Sequence, residues 1–169
     1  VVLEAKSKGY TEPDPRDDLS GLDVARKLVI LAREAGIRIE LQDVQISGLV
    51  PDELKKVSVD DYLKNLAKFD SEMLEMARTA ESQNEVLRYV GRINEKGEAS
   101  VQLKRYKKNH PFAQTKATDN IVAFRTKRYH AQPLIVQGPG AGPDVTAAGV
   151  FADLLRLSTY LGANLGSSL

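Results

Sequence analysis

At 169 residues, with 42% apolar and 28% charged side chains, the chain is long enough to bury a real core and too apolar for a disordered segment. Lys and Arg number 24 against 23 Asp and Glu, and the net charge of +1 removes the electrostatic case for nucleic acid or an acidic partner. Cysteine is absent, which excludes disulfides, thiolate catalysis and thiolate metal ligands together.

Two histidines, His110 and His130, would need carboxylates to complete a metal centre, and no metal is expected. No apolar run approaches the ~18 residues of a membrane span, and the amino end lacks a signal-peptide pattern, so the expectation is a soluble intracellular protein. The chain begins at Val1, without methionine, as if in the middle of an element, and is expected to be a piece of something longer.

Residues 1–8 suit a short strand or a helix end. Residues 9–19 read as a loop: Pro13 and Pro15 each hold φ near −65° and push Glu12 and Asp14 away from the helical region, which predicts an extended, stiff segment. Ser20 then reads as an N-cap with Asp23 as the capping acid, and a helix is predicted from Gly21 to Ala35, ended by Gly36. Its apolar arc is Leu22, Ala25, Leu28, Val29, Leu31, Ala32 and Ala35.

Residues 37–50 alternate loosely and predict one or two short strands. From Asp60 to Gln83 the pattern predicts two helices broken near Phe69–Asp70, with Leu63, Leu66, Met73, Leu74, Met76 and Ala77 as the buried stripe. Glu85 to Tyr106 predicts a hairpin around NEKGE, in which Gly97 takes the positive-φ position. A polar connection over 107–118 contains His110-Pro111-Phe112. NIVAFRTKRY and QPLIVQ predict two more strands, and a closing helix begins near Pro143. With at least four strands in hairpin sequence, the fold class expected is α+β: a mostly antiparallel open sheet with helices packed on one face.

Three constellations bear chemistry. Asp23 and Lys27 are four apart on one helix and so share a face. As surface charges, such a pair contributes about a few tenths of a kcal/mol. Partly buried, the carboxylate could hold an ammonium that exchanges protons. Glu12, Asp14, Asp17 and Asp18 are either solvated turn-formers or, on a rigid loop, a grip for a substrate ammonium group; the oxygen spacing of a calcium loop is missing. GPGAG at 138–142 follows a strand and precedes a helix, but Pro143 stands where the dinucleotide fingerprint needs its third small residue, so it suits an accessory wall of a cofactor site better than a primary phosphate loop. His110 and His130 read as surface or core residues, and Lys104 to Lys108 as a solvated strand end too poor in aromatics for RNA.

GYTEPDPRDDLSGLDVARK, EVLRYVG, HPFA and GPGAGPDVTAAGVFADLL together resemble the carboxy-terminal catalytic part of homoserine dehydrogenase, most closely the dehydrogenase half of bifunctional aspartate kinase–homoserine dehydrogenases. The resemblance covers essentially the whole chain. It implies reversible oxidation of L-homoserine to L-aspartate 4-semialdehyde with NAD or NADP, in threonine, methionine and isoleucine biosynthesis. Lys27 resembles the family's acid/base lysine and Asp23 its companion acid. Glu12 resembles the residue gripping the substrate ammonium, with Asp18 and Tyr10 as further substrate contacts. Gly142, with Gly140 beside it, resembles the cofactor-contacting glycine turn.

The resemblance also implies that residues 1–142 form a substrate-binding, catalytic and dimerisation domain, homodimeric through its sheet. Residues 143–169 would be a helix that packs on an absent amino-terminal dinucleotide-binding domain and here exposes Ala147, Val150, Phe151 and Leu154. The location implied is cytoplasmic, or the plastid stroma in a plant. The competing reading is a non-catalytic α+β dimerisation or regulatory module whose opening loop is merely solvated.

Overall fold

The structure is a computed structural model that describes residues 1–116, 119–140 and 142–161. It divides into two compact units, Val1–Lys108 and the residues from Asn109 onward. The first unit opens with helix α1, Val2–Ser7, followed by α2, Pro15–Leu19, and α3, Leu22–Glu34. A 3-10 turn at Leu41–Asp43 leads into strand β1, Val44–Ile46, and helices α4, Val59–Asn65, and α5, Asp70–Ser82, follow. Strands β2, Glu85–Ile93, and β3, Ala99–Lys107, complete the unit.

The β2–β3 hairpin is antiparallel in one unbroken register from Glu85 opposite Lys107 to Ile93 opposite Ala99, with Gly97 at φ 82° in its turn. That agrees with the expectation from sequence. β1, by contrast, joins the far edge of β3 in parallel, giving the order β1-β3-β2 and a mixed sheet. The rule that short connections make antiparallel pairs failed here because β1 and β3 are not sequence neighbours; α4, α5 and β2 lie between them.

Helix α3 is amphipathic as expected. Ala25, Val29 and Ala32, spaced four and three apart, are its buried residues, and they pack with Ile39, Val44, Ala99 and Val101 into the main core. Val101, fully buried in the central strand, contributes about 1.5–3 kcal/mol by the usual burial scale. Leu22 and Leu31, assigned to the same arc by pattern, stay exposed at its margins. Gly91 lets the helix approach β2 closely: a β-carbon there would stand 3.2 Å from Val24 and 3.5 Å from Leu28.

A second core gathers around Tyr62, Val50 and Leu54, flanked by Leu19, Leu63, Leu66 and Phe69. The expected break between α4 and α5 is present as a 3-10 segment, Leu66–Phe69. The expected buried stripe is only half realised. Leu63 and Leu66 pack on Tyr62, but Met73, Leu74, Met76 and Ala77 are exposed, and Ala80 alone is buried on α5. Between the helix and Leu87 and Leu103 of the sheet lies an open cleft of about 430 Å³ rather than a packed seam.

The second unit holds a 3-10 turn, Pro111–Gln114, an antiparallel ribbon of β4, Asp119–Phe124, and β5, Leu134–Pro139, and helix α6, Pro143–Tyr160. Among the described residues no sheet therefore has four strands. Among the described residues β4 pairs only with β5, as a separate two-stranded sheet. The fold remains α+β, with one three-stranded mixed sheet and one antiparallel ribbon. No described helix is long and apolar enough to cross a membrane.

Candidate active site

The acidic stretch is not the extended loop that its prolines suggest. Pro15 takes the first position of α2, where a missing N–H costs nothing, and Asp14 caps that helix by accepting from the Arg16 backbone N–H at 3.0 Å. Prolines restrict the residues before them, and those residues, Glu12 and Asp14, do stay out of the helix; the error lay in carrying the extended form past Pro15. Ser20 does not cap α3 in the expected manner either. Gly21, at φ 82° in the left-handed region, is the N-cap, and Ser20 Oγ accepts from Leu22 N at 3.2 Å.

Asp23 is thereby released from capping and pairs with Lys27 Nζ at 2.9 Å along the α3 surface. Both side chains are more than half exposed, at 66% and 57%. Glu12 and Asp18 are brought together by a different contact, the Glu12 backbone N–H donating to Asp18 Oδ2 at 2.9 Å. Both are exposed, as is Tyr10 at 76%. The first unit therefore presents two pairs, Asp23 with Lys27 and Glu12 with Asp18. No hydrogen bond or ion pair joins one to the other among the described residues. Two clefts of this unit lie beside α5 and around Asp43, Arg92 and Glu98.

Residues that pattern reading passed over fix the junction between α2 and α3. Leu49 N donates to Leu19 O at 2.8 Å, Ser47 N donates to Val101 O at 2.8 Å, and the Tyr89 hydroxyl donates to Ser47 O at 3.0 Å. A β-carbon on Gly48 would stand 2.9 Å from Ser20 O, and one on Gly21 would stand 2.1 Å from the Tyr89 hydroxyl. The helix that carries Asp23 and Lys27 is thus locked at its first turn to the main sheet. A signal was present in the chain: Ser-Gly-Leu occurs twice, at 20–22 and 47–49, and the two copies meet.

Asp14 proves not to belong with the free acids. Arg16 holds it with its side chain, Nε to Oδ1 at 2.9 Å and Nη2 to Oδ2 at 2.6 Å, and this hydrogen bonding keeps the Asp14 carboxyl below its ordinary range.

In the second unit, Gly142 is the N-cap of α6, with φ 131°, and its carbonyl accepts from Thr146 N at 3.0 Å. A β-carbon at Gly142 would meet nothing within 4 Å, so the backbone there is open to contact. Gly140 is closed off instead: a β-carbon there would fall 1.5 Å from Asn120 Nδ2. This arrangement fits one polar wall of a dinucleotide site at the exposed start of a helix, and it does not make a phosphate cradle by itself. His110 and His130 take backbone roles: His110 Nδ1 accepts from Phe112 N at 3.1 Å, and His130 O accepts from Arg125 at 2.9 Å.

An exposed Asp–Lys pair on one helix and two exposed carboxylates on the segment before it, on an α+β scaffold, form a charge set suited to proton exchange and cation binding. Comparison with known proteins specifies it: the homoserine dehydrogenase family profile matches residues 1–155, and the chain belongs to that family. A bifunctional aspartokinase/homoserine dehydrogenase 1, chloroplastic, of Zea mays is 58% identical over 96% of this chain and 18% of its own length. The homoserine dehydrogenase of Schizosaccharomyces pombe is 45% identical over 97% of this chain and 44% of its own length. Among solved structures, a Candida auris protein of unknown function superposes with a TM-score of 0.88 at 43% identity, over 94% of this chain and 45% of that one. The chain thus spans less than half the length of these relatives.

Proposed function

We propose that the chain is the substrate-binding and acid–base part of an enzyme interconverting L-homoserine and L-aspartate 4-semialdehyde with NAD or NADP. The observation that carries this reading is the Asp23–Lys27 pair at 2.9 Å, on a helix locked to the sheet directly after the Glu12–Asp18 pair. In the oxidative direction Lys27 Nζ takes the proton from the substrate hydroxyl at C4. In the reductive direction its ammonium returns that proton and stabilises developing charge on the oxygen. Asp23 holds Nζ in place. Glu12 and Asp18 take the substrate ammonium, with Tyr10 beside them. NAD or NADP, when bound, would supply the hydride chemistry at C4, and Gly142, whose backbone is open, would be a contact for it by the family resemblance.

Asp23 and Lys27 face water in this chain, and such chemistry needs water excluded. A dinucleotide-binding domain supplies the missing wall in this reading, as the extra length of the relatives supports. Helix α6 is the element suited to pack on it: Val150, Phe151 and Leu154 are each about 60% exposed, at 60%, 61% and 58%. Residues 143–169 would then belong functionally with that domain. The three-stranded sheet has α3 and α5 on one face, and its other face, bearing Val86 and Val90, is the proposed homodimer contact.

The test is Lys27→Ala in a full-length homoserine dehydrogenase carrying this chain. The expected result is a fall in kcat of about 10²–10⁴-fold with the KM for NAD(P) little changed. A near-normal kcat would refute the assignment. The 169-residue chain alone is expected to bind NAD(P) weakly or not at all and to show no turnover.

A further inference from the structure

Arg16 stands in the middle of the acidic stretch and uses its whole guanidinium. Nε and Nη2 hold both oxygens of Asp14, while Nη1 reaches three backbone carbonyls of a distant segment: Leu54 at 3.2 Å, Lys55 at 3.3 Å and Val57 at 2.8 Å. Its carbon centre lies 5.5 Å over the ring of the fully buried Tyr62. The Arg16 side chain is only 17% exposed. Helix α2, at five residues, is too short to hold itself, so its orientation depends on this external tether. Asp18 lies in α2, and its carboxylate in turn receives the Glu12 backbone N–H.

From these contacts we infer that Arg16 is a positioning residue that sets the enzyme's requirement for a substrate ammonium group. It orients α2, and so fixes the Asp18 carboxylate that holds the Glu12 backbone N–H, and it neutralises Asp14 so that this acid does not compete as a third ligand. The inference rests on the ammonium role proposed for Glu12 and Asp18. Only a planar fork reaches two carboxylate oxygens and three carbonyls at once; a lysine in its place would keep the charge and lose the tether.

The experiment uses Arg16→Lys and Asp14→Asn in the full-length dehydrogenase. It compares L-homoserine with 4-hydroxybutanoate, the same molecule without the amine, as substrate or competitive inhibitor. Asp14→Asn, which keeps the three carbonyl bonds and removes the charge that would compete, should match the parent, whereas Arg16→Lys should lose about tenfold or more in kcat/KM for L-homoserine, carried by KM. Affinity for 4-hydroxybutanoate and the KM for NAD(P) should stay within about twofold. The preference for the amine-bearing substrate therefore shrinks in Arg16→Lys. If both substrates weaken together, or melting temperature falls with the preference intact, Arg16 serves stability alone and the inference is overturned. If the unsubstituted enzyme does not prefer L-homoserine, the underlying assignment of Glu12 and Asp18 fails instead, and that result is distinct. Should Arg16→Lys not fold, Arg16→Gln takes its place with the same expected and overturning results, because it too loses the fork that reaches the three carbonyls.

Discussion

Gly21→Ala tests the lock that holds α3, and the structure gives its size. Two costs add at this position. An L-residue in the left-handed region costs roughly 1–2 kcal/mol. The new methyl would also fall 2.1 Å from the Tyr89 hydroxyl and 3.0 Å from Ile46 Cγ2, so Tyr89 must move and lose its bond to Ser47 O. Giving up that hydrogen bond costs about 0.5–1.5 kcal/mol more. The expected destabilisation is therefore about 1.5–3.5 kcal/mol, measured by urea unfolding followed by circular dichroism.

Gly36 is the internal control, since it shares φ 82° but a β-carbon there would meet nothing within 4 Å. Gly36→Ala should cost only the backbone portion. In a Tyr89→Phe background the 2.1 Å contact disappears, leaving contacts of 3.0 Å, and the cost of Gly21→Ala should drop toward that of Gly36→Ala. Equal costs for the two glycine substitutions, or no change in the Tyr89→Phe background, would refute the reasoning.

Two further expectations follow from the Tyr62 and Asp14 environments. The Tyr62 hydroxyl is buried with no hydrogen-bond partner among the described residues, and burial pushes its pKa up. Tyr62→Phe should therefore be neutral or stabilising by up to about 1–2 kcal/mol, read as a higher urea midpoint; a clear loss would mean that the hydroxyl is satisfied in solution. The hydrogen bond from Arg16 lowers the Asp14 pKa below its ordinary 3.8, so this acid adds stability that is complete above that value and is lost as pH falls through the lower folded value. Melting temperatures taken from pH 6 down to about 2 should accordingly fall less in Asp14→Asn than in the parent; parallel curves would count against the pairing.

How much was legible beforehand differs by element, for reasons of range. Helix α3, the β2–β3 hairpin and the break between α4 and α5 are written in local patterns: apolar residues three and four apart, alternation around a glycine turn, and an interrupted stripe. The Asp23–Lys27 pair was equally local, since four residues is one helical turn. The start of α3 departs from its local pattern: Ser20 satisfies the capping rule, yet Gly21 takes the position. That choice depends on Tyr89 and residues 47–49, far away in the chain. The stripe on α5 stays exposed although its pattern is apolar, because periodicity identifies an apolar face without saying whether anything covers it.

The stretch from Gly9 to Lys27 shows where sequence stops and tertiary structure begins. By itself the sequence determined which residue types stand at this site, that Asp23 and Lys27 share a helix face, and, through its long motifs, the family to which the chain belongs. Only the tertiary structure decided which acids are free. Asp14, indistinguishable from its neighbours by composition, is taken up by Arg16, and Arg16 is anchored to distant carbonyls, the farthest being that of Val57. A carboxylate's role depends on the charges and donors within a few ångströms of it, and chain folding brings those from sequence distances that no local pattern spans.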